Sequence, residues 1–168
     1  QVYPAGRFAD HLKPFKAAID AGVSAVMPYY GVPVNVTYDG VTYGQMGFAF
    51  SKQIVNDLLR GKLGFKGYVN TDTGIVTDRA WGLEGKTVAE RVAAAINSGN
   101  DILSGFHSHQ AIGDLVAAGL LSETRIDEAV PVRCVLTSNR PVTKVFLLVR
   151  DPMKERFIEV ELKKDPDG

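Results

Sequence analysis

The sequence predicts an α/β fold: a partial (β/α) barrel of about three to four βα units, followed by a short β-hairpin tail. Three observations carry this expectation. Helical stripes, glycine stops and short apolar runs alternate along residues 1–130, the rhythm of βα units around a parallel sheet. The apolar runs are nearly continuous, as strands covered on both faces must be. Polar residues gather just after each run, first Tyr29 and Tyr30, then Asn70 and Asp72, then Ser104 and His107. In a barrel that carboxyl edge is where the chemistry sits. A full barrel takes about 250 residues, so 168 residues hold half of one at most.

Each element has its own signal. Residues 1–10 (QVYPAGRFAD) read as loop, with Pro4 and Gly6 as breaks. From His11 to Ala21, Leu12, Phe15, Ala18 and Ile19 recur at helical spacing, and Gly22 is the stop. Val23 to Tyr30 (VSAVMPYY) reads as a buried strand, ended by Gly31 and Pro33. A loop follows in which Asp39-Gly40 signals a turn. Ser51 is the expected cap of a helix whose stripe is Ile54, Val55, Leu58 and Leu59. Phe65 to Val69 is the next strand, and it runs straight into Asn70-Thr71-Asp72-Thr73-Gly74. Thr87 with Glu90 three residues on spells a capping box, and Val88, Val92, Ala95 and Ile96 give that helix its buried face. Asp101-Ile102-Leu103 is a third strand, Ala111 to Ala118 a helix, and Ser122 with Arg125, Ile126 and Val130 begins another. Pro131 breaks the pattern. In the unassigned tail, 131–168, Val142 to Val149 and Phe157 to Leu162 read as the two strands of a hairpin.

Charge and composition narrow the function classes. Nineteen Lys and Arg balance nineteen Asp and Glu, a formal net charge of zero. That leaves no global field for gripping nucleic acid or an anionic membrane, so neither is an expected partner. A single cysteine, Cys134, excludes an internal disulfide framework and any multi-cysteine zinc module. The longest apolar runs are broken by Gly, Pro or charge, too short for a bilayer span, and no basic run followed by an apolar stretch marks a signal peptide. The chain opens on Gln1 in what reads as the middle of something, so a fragment is expected. An open half barrel has two free sheet edges, which would pair with a second copy into a homo-oligomer.

Three segments together resemble glycoside hydrolase family 3: HLKPFKAAIDAGVSAVMPYYG, FSKQIVNDLLRGKLGFKGYVNTD, and TVAERVAAAINSGNDILSG with LVAAGLLSETRIDEAV. The resemblance covers about residues 10–130, with the motifs in family order, and it places the chain in the C-terminal part of that family's catalytic (β/α)8 barrel domain. It implies a retaining, exo-acting β-glycosidase of the β-glucosidase or β-xylosidase type, with a carbohydrate substrate and no cofactor or metal. By position, Asp72 matches the catalytic nucleophile and Tyr30 a tyrosine beside it. Arg79 falls where many members place a sugar-contacting arginine, and Met27 on the preceding strand is carried over as substrate-binding. Many relatives follow the nucleophile with Trp; here Thr73 stands there, and Trp81 on the same loop is the substitute. The resemblance further implies an exported bacterial parent, periplasmic or secreted. The family's Lys-His pair and Arg lie on earlier strands outside these residues.

The chemistry agrees with the resemblance. Retaining hydrolysis needs one carboxylate as nucleophile and a second carboxyl about 5–5.5 Å away as acid and then base. Asp72 between the hydroxyls of Thr71 and Thr73 suits the first role. The acid is unknown, with Glu84 the weak candidate and Asp78 beside it on the same loop. Aromatic faces for a sugar rim are offered by Tyr29, Tyr30, Tyr43, Trp81 and Phe106. Taken singly, each residue has a plainer reading as cap, core or solvated charge. His107 and His109 lack a third metal ligand at usable spacing, Asn35-Val36-Thr37 fits a glycosylation sequon, and Ser104-Gly105 is a candidate phosphate loop. The alternative function is a non-catalytic carbohydrate-binding or interaction fragment.

Overall fold

The computed structural model describes residue 3 and residues 6–122, 146–151 and 156–161. The chain divides into two compact units, Gln1–Arg133 and Cys134–Gly168.

In the first unit, helix α1 spans Phe8–Asp20, beginning ahead of the expected His11. Its end follows from Gly22, which takes φ +83. The Gly22 N–H donates to the Ile19 carbonyl at 2.9 Å and the Val23 N–H to that of Ala18 at 3.1 Å, closing the helix as a left-handed glycine cap does. Strand β1 covers Ala25–Val26 and β4 covers Tyr68–Val69. They pair in parallel, Ala25 with Tyr68 and Val26 with Val69, and one residue on Asn70 bridges Ile102, again in parallel. The longer expected strands, 23–30, 65–69 and 101–103, contract to these short ladders. Beyond them, side-chain and loop hydrogen bonds take over the backbone groups.

Between β1 and β4 the chain makes a hairpin to which the sequence reading gives no strands. Thr37–Tyr38 (β2) pairs antiparallel with Val41–Thr42 (β3). Its turn is the Asp39-Gly40 pair, at φ 51 and 76, the left-handed pair of dihedrals that a two-residue hairpin requires. Gln53–Lys62 then forms a helix wound as a π-helix rather than an α-helix. Ile54, Val55, Leu58 and Leu59 are buried along it as expected. The residue before it is Lys52, with no side-chain cap. Ser51 is buried and serves through its carbonyl, which accepts from Ile54 and Val55. The capping box is present. The Thr87 hydroxyl accepts from the Glu90 N–H at 3.2 Å and the Glu90 carboxylate from the Thr87 N–H at 2.8 Å, starting α2 at Val88–Asn97. Val88 is nonetheless exposed, and Ala93 takes its expected place on the buried face. Helix α3, His109–Ala117, starts from the Ser108 hydroxyl, which accepts from the Ala111 N–H.

Three apolar clusters hold the unit. The largest joins Ala49 and Phe50 to Ile75, Val76 and Ala80 of the loop after β4, to Val92, Ala93, Ala95 and Ile96 of α2, and to Leu115 and Leu121. Phe8, Val36, Tyr43, Ile54 and Leu58 form a second, and Val55, Leu59, Phe65 and Val69 a third. The helix expected to begin at Ser122 lies, after that residue, outside the described residues. In the second unit Phe146–Asp151 (β5) and Arg156–Glu161 (β6) pair antiparallel, Phe146 with Glu161 through Asp151 with Arg156. Among the described residues no helix is long and apolar enough to cross a membrane.

Candidate active site

The end of β4 is held from both directions along the strand. On one side, Asp101 Oδ2 accepts from the Val69 N–H at 2.7 Å and from Arg60 at 2.5 Å, while Arg60 also donates to the Gly67 carbonyl, just before the strand, at 2.9 Å. Gly67 is required there, because a Cβ would stand 2.1 Å from the Ser24 carbonyl oxygen of the neighbouring segment. At the other end, the Thr71 N–H donates to the Ile102 carbonyl at 3.0 Å. The Ser104 N–H donates to Thr71 Oγ1 at 3.1 Å, and the Ser104 hydroxyl pairs with Asn70 Oδ1 at 2.8 Å. Asp72 is the next residue, so its backbone is fixed before its side chain is considered.

The carboxylate itself is oriented twice. Arg79 Nη1 donates to Asp72 Oδ2 at 2.7 Å and to the Thr73 carbonyl at 2.9 Å, and the Thr73 N–H donates to Asp72 Oδ1 at 2.7 Å. The Asp72 side chain keeps 30% of its surface exposed, enough for an approaching ligand. Tyr30 completes the group: the Arg79 guanidinium lies 5.5 Å from its ring centroid, and Trp81 lies 5.4 Å from it at 54°. Tyr29 stacks on Tyr30 at 5.3 Å. The structure therefore brings Asp72, Arg79, Tyr30 and Trp81 together, with Trp81 and Tyr29 both 40% exposed. Met27 follows β1 directly and is exposed.

Other candidates fall elsewhere. Glu84 is fully exposed, and its carboxyl is held below the usual carboxylate range by the backbone N–H groups of Glu84 itself and of Gly82, the latter at 2.9 Å. A general acid is favoured by the opposite shift, so these hydrogen bonds work against Glu84 as a proton donor. Tyr43 is buried against Phe8 at 5.6 Å, its phenol pushed up by burial, and takes no part in an aromatic rim. Phe106 packs against the largest cluster. The Ser104 N–H and hydroxyl are both engaged within the sheet end, so that residue does not offer them to a phosphate. His107 and His109 are exposed, and among the described residues no three His, Cys, Asp or Glu converge.

Two arginines that the sequence reading passes over hold the frame of this site, Arg60 through Asp101 and Arg91 through the loop after β4. Their signal in the sequence is faint. Arg60 sits at the end of a buried stripe and Arg91 directly before the buried Val92 and Ala93, positions where a lone charge calls for a specific partner.

Comparison with known proteins gives one family. A model described as the glycosyl hydrolase family 3 N terminal domain matches residues 5–136. The probable beta-glucosidase C of Aspergillus flavus is 44% identical over 140 residues, which cover 77% of this chain and 21% of that protein. The periplasmic beta-glucosidase/beta-xylosidase of Dickeya chrysanthemi is 31% identical over 139 residues, 71% of this chain and 21% of its own. A solved structure of the beta-glucoside phosphorylase BglX bound to 2FGlc superposes with a TM-score of 0.60 at 22% identity, covering 76% of this chain and 24% of that one. That likeness shows the fold. The chain thus spans about a fifth of the length of the curated relatives it matches.

Proposed function

The chain belongs to glycoside hydrolase family 3, and from that premise we propose that it carries the nucleophile-bearing portion of a retaining, exo-acting β-glycosidase, with Asp72 as nucleophile. The observation that carries this reading is the Asp72 carboxylate at the end of β4, oriented by Arg79 and the Thr73 N–H and open beside Tyr30 and Trp81. A nucleophile must be ionised and rigid, and a guanidinium at 2.7 Å favours the charged carboxylate while fixing its rotamer. Asp72 attacks the anomeric carbon as the aglycone leaves, and water then resolves the glycosyl-enzyme. The tilted faces of Tyr30 and Trp81 support sugar stacking, with Arg79 and Met27 as further sugar contacts. The reaction calls for neither metal nor organic cofactor.

In this reading the chain is the later part of the family's barrel, three parallel segments of it, and the parent enzyme works in the periplasm or outside the cell. The sugar is glucose or xylose, the two in the names of the Aspergillus flavus and Dickeya chrysanthemi relatives, while other relatives, such as one of Chromobacterium violaceum, are named beta-hexosaminidase. Glu84, whose hydrogen bonds favour its anion, is a poor candidate for the acid, and we propose that the proton donor is supplied from elsewhere. Lack of that acid lowers turnover by about 10²–10⁴-fold, so the isolated chain is expected to be a poor catalyst.

Hydrolysis of a panel of aryl β-glycosides by the chain and by Asp72→Asn tests the reading. Slow turnover by the parent that vanishes in the variant is the expected result. Equal rates in both would remove Asp72 from the role. Saturable sugar binding with no turnover in either would favour the non-catalytic carbohydrate-binding alternative.

A further inference from the structure

We infer that Arg91 is a positioning residue, whose guanidinium holds the loop of residues 72–86 in the shape that sets Arg79 and Trp81 beside Asp72. All three of its nitrogens donate to backbone carbonyls of that loop. Nε reaches Leu83 at 3.0 Å, Nη2 reaches Glu84 at 2.8 Å, and Nη1 reaches Thr77 at 3.1 Å and Val76 at 3.4 Å. The acceptors lie on two limbs of one loop, 76–77 and 83–84, so a single planar group ties the limbs to each other. The residues between the limbs include Arg79 and Trp81.

The arrangement follows from local sequence. The capping box of Thr87 and Glu90 fixes where α2 begins, which puts Arg91 in its first turns. Helical side chains lean towards the N-terminus of their helix, here towards the loop that feeds α2. That loop has no ladder of its own, so its carbonyls need donors from elsewhere. Only a guanidinium offers five N–H groups in a rigid fork; a lysine ammonium is one point charge on a flexible stem. The opposite side of the loop is tied independently. The Gly47 N–H donates to the Trp81 carbonyl at 2.8 Å, and Gly82, at φ +86, lies so close that a Cβ would stand 2.6 Å from Met46 Cα.

The inference rests on the glycosidase reading only in treating the loop as sugar-facing; its effect on loop shape is independent. Trp81 is the one tryptophan of the chain, so fluorescence excited selectively at tryptophan, beyond the absorption of the six tyrosines, reports this loop alone. Arg91→Lys and Arg91→Met are compared with the parent and with Ala89→Gln, a change at an exposed α2 position. The expected result is red-shifted Trp81 emission and greater acrylamide quenching in both Arg91 variants, with unchanged far-UV circular dichroism and no effect of Ala89→Gln. Arg91→Lys keeps the charge and the stem, so it answers the question should Arg91→Met fail to fold. Parent-like emission and quenching in Arg91→Lys would overturn the inference. So would a change that merely follows loss of helical signal, since Arg91 would then be a general stabiliser. Titration with glucose separates the two readings: a red shift in Arg91→Lys, together with a parent Trp81 that ignores glucose, supports the role of Arg91 and counts against the sugar site.

Discussion

Asp72 is the residue on which the functional reading turns, and Arg79 is what distinguishes it from an ordinary strand-end aspartate. By itself an Asp after a strand reads as a cap or turn former. What the sequence could not show is that a loop of seven residues brings a guanidinium back onto its Oδ2 at 2.7 Å and over the Tyr30 ring. A hydrogen bond between charged groups contributes about 1.5–3 kcal/mol, and with Arg79 43% exposed the lower end applies. Arg79→Met is therefore expected to lower kcat/KM for an activated aryl β-glucoside by about 10-fold. Unchanged kcat/KM would make the pair a surface contact with no part in the chemistry. Tyr43 shows the converse limit of residue-level reading. A tyrosine in a polar loop looks available to a sugar, but the β2–β3 hairpin folds it onto Phe8, and hairpin packing is long-range information.

At the scale of elements, what could be read was what is local. The capping box of α2, the Gly22 stop of α1 and the Asp39-Gly40 turn all form as their residues dictate, because each is settled within about five residues of chain. Strand lengths were not legible, since a ladder ends where its partner ends. The π-winding of Gln53–Lys62 was equally hidden, because the same four apolar residues are buried with either winding. The capping box gives this scale its own prediction. The Thr87 N–H, with Lys86 and the Thr87 hydroxyl assisting, pulls the Glu90 carboxyl from its ordinary 4.5 down to about 2. A depressed carboxylate stabilises the fold fully above its unfolded value, and that contribution is lost as pH falls from about 4.5 towards 2. Glu90→Gln keeps a hydrogen-bonding side chain at the same place but cannot titrate. Urea midpoints measured across this window should fall less steeply for Glu90→Gln than for the parent. Parallel curves would show that the capping carboxylate does not contribute to acid sensitivity. The cap also matters to the site, because it sets the turn from which Arg91 reaches the loop.

For the whole molecule, the sequence conveyed the order of parallel segments but not how little of each apolar stripe would be covered. Phe15 and Ala18 of α1, which the helical spacing aligns with Leu12 and Ile19, stay exposed, as do Val23 and Met27 beside β1. The three clusters close instead around the π-helix, the end of β4 and α2, which together carry the loop that bears Asp72, Arg79 and Trp81. The proposed function rests on Asp72 becoming covalently attached to sugar. An activated 2-deoxy-2-fluoro-β-glucoside tests this most directly, because its good leaving group needs no acid and the fluorine slows release, so the glycosyl-enzyme accumulates. After digestion, mass spectrometry is predicted to find one fluoroglucosyl group on the peptide that contains Asp72, and none in Asp72→Asn. A fluoroglucosyl group on any other residue, or undiminished labelling of Asp72→Asn, would contradict the account.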